Sequence, residues 1–309
     1  MHRNSVLMNA FRFIQDIYRY LAFFDRVVHP FFKNEGDIAL LCILAPPRSG
    51  STLTYQVLSS AYYGYSLRNI SNFLFATPLI GYLTTKIICR NYKSKFRSER
   101  GFVSGFCGEA EGLMYWKYWL GQGLEQNPGL LKVEKLRKLK KALDKSGESL
   151  VITGYLGHVF AIPALREVFS KVLFIHLKRD LLSNAYSLYK LTSNLTPFST
   201  CPCWVKTKQY NSKHRLIVDQ IRGIHEIISL DYGCDMLQIN YEELCDDTEM
   251  VLNRIEKKAI ELGIYINHGR QVPKTFRKRL IPCDYDTDSK QLNEIILNNV
   301  FLHTLKNKI

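Results

Sequence analysis

What this chain does not contain narrows it before any motif is read. It has no Cys-x-x-Cys pair; its 8 cysteines stand at 42, 89, 107, 201, 203, 234, 245 and 283, and no histidine cluster at zinc spacing accompanies Cys201-Pro202-Cys203. No metal is expected, and free thiols in a reducing cytosol are a plainer reading than a disulfide set. No cleavable signal is visible, and no apolar run is fit to cross a bilayer. Phe11 to Phe32 is broken by Arg12, Asp16, Arg19, Asp25 and Arg26. Asn69 to Thr85 carries no charge, but Pro78 and Gly81 interrupt it and it is short and polar. It is expected to pack in the core or to line an acceptor pocket. Internal repeats and low-complexity tracts are also missing.

Acidic residues are in deficit: 28 Asp and Glu against 42 Lys and Arg leave a net charge of +14. Such a surplus favours anionic partners. The basic residues are spread over several segments and no recognised nucleic-acid module is present, so nucleic acid is not expected as a partner. A hydrophobic content of 46% in 309 residues is ordinary for a folded protein and supports one large α/β domain.

The apolar run Ile38 to Leu44 reads as a buried strand that breaks at Pro46-Pro47. Arg48-Ser49-Gly50-Ser51-Thr52-Leu53 follows and leads into a helical pattern. Strand, tight polar turn and helix aim backbone N–H groups at a phosphate. Gly50 allows close approach of the backbone, the hydroxyls add donors, and Arg48 adds a fixed cation. The nucleoside-triphosphatase loop needs Gly-x-x-x-x-Gly-Lys-Ser/Thr; here Ala45 replaces the first Gly and Ser51 the Lys, which removes the main cationic partner of a γ-phosphate. ATP hydrolysis is not expected.

A second strand, Val172 to Leu177, ends in Lys178-Arg179-Asp180, and Ser187 lies eight residues after Arg179 on the following helix. With Leu150–Gly154 and the helix through Phe169, the order is βαβα, which argues a parallel sheet with ligands at the carboxyl ends of its strands. The two motifs together closely resemble the sulfotransferases that use 3′-phosphoadenosine 5′-phosphosulfate (PAPS), in their broad bacterial-type branch, over about Asp37 to Leu262. The resemblance implies a three-layer, P-loop-like α/β fold with a central parallel sheet flanked by helices. It implies PAPS as co-substrate, with Arg48, Ser49, Gly50, Ser51, Thr52 and Leu53 at the 5′-phosphosulfate and Arg179 and Ser187 at the 3′-phosphate. Residues 1–36 are expected to form an amphipathic helical extension, either packed on the domain or lying on a membrane, and 37–309 a single sulfotransferase domain.

Sulfonyl transfer needs an in-line acceptor, a stabilised leaving oxygen and a base. Arg48 stands where the family has its loop cation and is expected to stabilise the departing oxygen. Many relatives carry a catalytic Glu shortly after the first helix, but none occurs between Thr52 and Ile88. His158, which follows a strand at the ligand edge, is the leading candidate base, then Glu111 and Glu109; His176 reads as a core residue. The expected acceptor is a hydroxyl or amine of a small molecule, carbohydrate or lipid. A donor-binding but inactive adaptor and a nucleotide kinase-like P-loop protein are the alternatives. Localisation is expected to be cytoplasmic, or else peripheral on the cytoplasmic face of a membrane.

Three further segments carry expectations. The basic stretch Lys86 to Arg100 reads as a solvated helix face. Leu130 to Ser146 reads as a charged, solvent-facing helix, and Arg270 to Arg279 as a late basic loop.

Overall fold

The computed structural model describes residues 36–124 and 127–306, together with Asp25, Val27, Pro30 and Phe32. The helix expected over residues 3 to 30 lies almost wholly outside these residues. Within it, the Asp25 carboxylate accepts from the amides of Leu79 and Ile80 at 3.1 and 3.0 Å.

In chain order the elements are β1 (Ala39–Leu44), α1 (Ser51–Ala61), β2 (Tyr62–Tyr63), β3 (Tyr65–Ser66), α2 (Asn69–Phe73), α3 (Pro78–Ile88), α4 (Leu113–Leu120) and α5 (Val133–Asp144). Then come β4 (Leu150–Thr153), α6 (Ile162–Val168), β5 (Val172–Lys178), α7 (Leu181–Tyr189), α8 (Cys203–Thr207) and α9 (Lys213–Leu230). The last are β6 (Met236–Asn240), α10 (Tyr241–Asp246), α11 (Thr248–Glu261), β7 (Asn267–His268) and α12 (Thr287–Lys306).

The central sheet has five strands in the order β3-β4-β1-β5-β6, and every pairing in it is parallel. The all-apolar sequence of β1 fits its central position, because both its faces are covered. Ile38, Leu40, Cys42 and Leu44 point into one core cluster, and Ala39, Leu41, Ile43 and Ala45 into the other. This period of two puts helices on both sides of the sheet. The fold is α/β, three-layered and P-loop-like, as the sequence implied. A separate antiparallel pair joins β2 to β7.

Because these strands all run parallel, the segments that follow β1, β4, β5 and β6 all emerge at one end of the sheet, with β1 between β4 and β5. Parallel sheets bind ligands where neighbouring crossovers diverge at that end.

Three expectations are corrected. Cys89 and Cys107 form a disulfide, so these two are not free thiols; the other six form no disulfide among the described residues. Helix α3 ends at Ile88, and the basic stretch beyond it runs as a loop rather than a helix face. Its Asn and Ser residues compete for backbone hydrogen bonds. Helix α5 is no solvated insert: Leu136, Leu139 and Leu143 are spaced to share one face and are fully buried in the core.

Candidate active site

The turn after β1 is held in an unusual backbone conformation. Arg48 has φ 67° and Gly50 φ 98°. A side chain on Gly50 would begin 2.2 Å from the Tyr241 ring, so only glycine fits both the dihedral and the space. Asn184 on α7 donates to the Pro47 carbonyl at 2.8 Å, and Arg179 donates to the Arg48 carbonyl at 2.9 Å. The turn is therefore fastened from β5 and α7 before any ligand arrives.

Arg48, Gly50, Ser51, Thr52, Leu53, Glu111 and Arg179 line one cleft of about 310 Å³. The Arg48 Nε donates to Ser187 Oγ at 3.2 Å, so Ser187 stands behind the arginine. Ser49 is buried beneath the turn, and its hydroxyl has no hydrogen-bond partner among the described residues. Glu111 accepts from Ser51 Oγ at 3.1 Å and from Thr52 Oγ1 at 2.9 Å. Burial raises its pKa above the usual carboxylate value, against the opposing pull of those hydroxyls and of Arg48. Burial and the neighbouring Arg179 charge lower the pKa of Arg48, with Glu111 opposing them. Two guanidinium groups facing one carboxylate leave the cleft short of negative charge, which an anionic ligand would supply.

Several groups at the cleft were not named as site residues from the sequence. The Arg179 guanidinium lies 4.9 Å from the centre of the Tyr241 ring, and its Nη2 donates to the Arg279 carbonyl at 2.8 Å. Ser98, Arg100 and Gly101 reach the cleft from the loop after α3. Thr52 Oγ1 donates to the Gly101 carbonyl at 3.4 Å. Phe198, Ser199 and Leu156 add to the wall. Only the Gly101 beside Arg100 could have hinted at a close approach; its φ is 89° and it lies against Arg48.

The other two candidate bases lie elsewhere. His158 follows β4 in a tight turn, Leu156–Phe160, that carries its ring inward. The ring is fully buried, edge-on to Trp116 at 4.5 Å and Tyr155 at 5.2 Å. Burial takes its pKa down to about 3. Glu109 is buried in an ion pair with Arg68 at 3.1 Å and accepts from Tyr92 Oη at 2.8 Å. His176 is a core residue, as expected, hydrogen-bonded to His225 at 2.8 Å. Among the described residues no group of three His, Cys, Asp or Glu could hold a metal, and no helix is long and apolar enough to cross a membrane.

A P-loop-like α/β protein whose strand ends converge on a cationic, hydroxyl-rich cleft is thus defined. The chain belongs to the sulfotransferase family, whose description it matches over residues 41–259. No curated protein matches it. Among solved structures it is similar to sulfotransferase STF9 from Mycobacterium avium, with 14% identity, 73% of this chain and 64% of that one covered, and a TM-score of 0.46. For sulfotransferase STF1 from Mycobacterium tuberculosis H37Rv the values are 12%, 89%, 75% and 0.47. For the sulfotransferase domain of the Synechococcus PCC 7002 olefin synthase they are 15%, 76%, 76% and 0.38. The match thus spans 64% of the length of STF9.

Proposed function

We propose that residues 37–309 act as one unit that moves a sulfonyl group from PAPS to a hydroxyl or amine of a small acceptor. The observation that carries this reading is the convergence of Arg48, Arg179, the first turn of α1 and Glu111 on one cleft. The amides and hydroxyls of Ser51 and Thr52 suit the 5′-phosphosulfate. Arg179, braced by Tyr241 and by the Arg279 carbonyl, suits the 3′-phosphate. In the transfer, the acceptor oxygen or nitrogen forms a bond to sulfur while the bridging P–O–S oxygen leaves with the electron pair. Arg48 stabilises that charge.

Of the three carboxylate and imidazole candidates, Glu111 is the base in this proposal. It lines the cleft, whereas His158 and Glu109 are absent from the lining and buried against other partners. The acceptor proton passes to the Glu111 carboxylate, and the products are 3′-phosphoadenosine 5′-phosphate and the sulfonated acceptor.

Calorimetry with 3′-phosphoadenosine 5′-phosphate against adenosine 5′-phosphate tests the donor. The 3′-phosphorylated ligand should bind at least about tenfold more tightly, a difference of about 1.4 kcal/mol, and Arg179→Ala should erase the difference. Equal binding of the two nucleotides by the unaltered protein removes the donor assignment.

A further inference from the structure

The segment from Lys86 to Cys107 has a second face that the cleft does not use. It exposes large apolar side chains and several cations. Ile87 and Ile88 are 73% and 58% exposed, and Phe106 is 79% exposed. The Cys89–Cys107 bond links the residue after Ile88 to the residue after Phe106, with Cα atoms 5.3 Å apart. The bond thus brings the backbone next to Ile88 close to the backbone next to Phe106. Phe106 is fixed further through its carbonyl, which accepts from the Ile70 amide at 2.9 Å.

Between the two cysteines run Arg90, Lys93, Lys95, Arg97 and Arg100, all exposed, against a single acid, Glu99. The loop holding these cations is anchored rather than free. Arg270 donates to the carbonyls of Tyr92 and Arg90, and Phe96 packs on Phe276 with ring centres 5.4 Å apart.

Large apolar side chains that protrude at the ends of a loop rich in exposed cations match a surface that is negative outside and apolar just beneath. A bilayer of anionic lipid has that profile. We propose that the knob formed by Ile87, Ile88 and Phe106 docks on an anionic bilayer. The three side chains enter the acyl boundary while Arg90, Lys93, Lys95 and Arg97 meet the headgroup phosphates. Ser98 and Arg100 of the same segment line the cleft, so docking sets the cleft rim at the headgroup layer. That last consequence, an acceptor presented by a lipid headgroup, rests on the sulfonyl-transfer reading; the docking itself does not.

The test is co-sedimentation of the full chain with vesicles of phosphatidylglycerol and phosphatidylcholine, and with phosphatidylcholine alone. Binding should require phosphatidylglycerol. It should weaken about tenfold in Ile87→Ser/Ile88→Ser/Phe106→Ser and similarly in Lys93→Gln/Lys95→Gln. Circular dichroism and nucleotide calorimetry on the same variants check that they are folded. Phe106→Trp gives a readout that removes no apolar group: its added fluorescence should shift to the blue and be quenched by brominated lipid. No binding to phosphatidylglycerol vesicles overturns the proposal. So does binding that survives the triple substitution, which would assign the contact to the N-terminal segment or to general charge. Unshifted indole fluorescence from the bound Phe106→Trp variant overturns it as well. Because the vesicle assay uses no nucleotide, its failure is separate from failure of the donor assignment.

Discussion

Glu111 is half-buried and hydrogen-bonded at the cleft. Two hydroxyls and a guanidinium favour its charged form while burial opposes it, and burial wins. A base with a raised pKa gives a rate that climbs as that group ionises, so the acid limb of the profile should lie above the ordinary glutamate range near 4.5. Glu111→Gln should lower kcat by about a hundredfold or more. Nucleotide binding should survive, because the amide oxygen can still accept from Ser51 or Thr52. His158→Asn should leave the pH profile in place; a profile that moves with His158 instead would return the role of base to it. The buried histidines have a separate effect, on stability. His158 and His176 are held neutral with folded values of about 3 against 6.5 in the unfolded chain. Stability from keeping them neutral is complete above pH 6.5 and is lost as pH falls, at about 1.4 kcal/mol per unit for each group. Melting temperature should therefore drop steadily from pH 6.5 to pH 4, and a flat curve would contradict the neutral assignment.

At the scale of elements, the loop between Cys89 and Cys107 couples a covalent bond to the cleft. Denatured protein alkylated without reductant should show six free thiols of its eight cysteines. With Cys89→Ser/Cys107→Ser the loop keeps its Arg270 and Phe276 anchors but loses closure. Trypsin should then cut between Lys93 and Arg97 faster, and nucleotide binding should weaken a few-fold, by about 1 kcal/mol. Unchanged cleavage would mean that the anchors alone hold the loop. This pair was illegible in the sequence, because its partners belong to no motif and meet only through the packing of α2 and α3. The strand, turn and helix around Arg48 were legible because their signals are local: an apolar run, two prolines and a glycine. His158 was legible as lying at the ligand edge. Which way its short turn points the ring is decided by Trp116 and Tyr155, from elements distant in the chain. Tyr241 and Arg100 lie in segments the sequence singled out, but neither was named as a site residue, since the cleft gathers them only after the sheet has formed.

For the molecule as a whole, helix α12 went unread in the sequence and turns out to brace the site. Leu292 is fully buried against α7 and α9, beside Leu188, Ile217 and Ile221. Asp286, just before α12, accepts from Tyr186 Oη at 2.5 Å, and the Ile281 amide donates to Ser183 Oγ at 3.0 Å. All of these hold α7, the helix whose Asn184 and Ser187 fasten the turn at Arg48. A chain ending at residue 286 should melt about 5 °C lower or more and lose nucleotide binding, as calorimetry would show. Binding at full strength by the shortened chain would free the cleft from this dependence. The sheet order has a consequence for the protein during its own synthesis. Gly50 has no Tyr241 to rest on, and Arg179 no Arg279 carbonyl to hold it, until those later residues have left the ribosome. The turn at Arg48 is thus made well before the groups that brace it, and its shape is completed only after β6 and the segment around Arg279 have been synthesised.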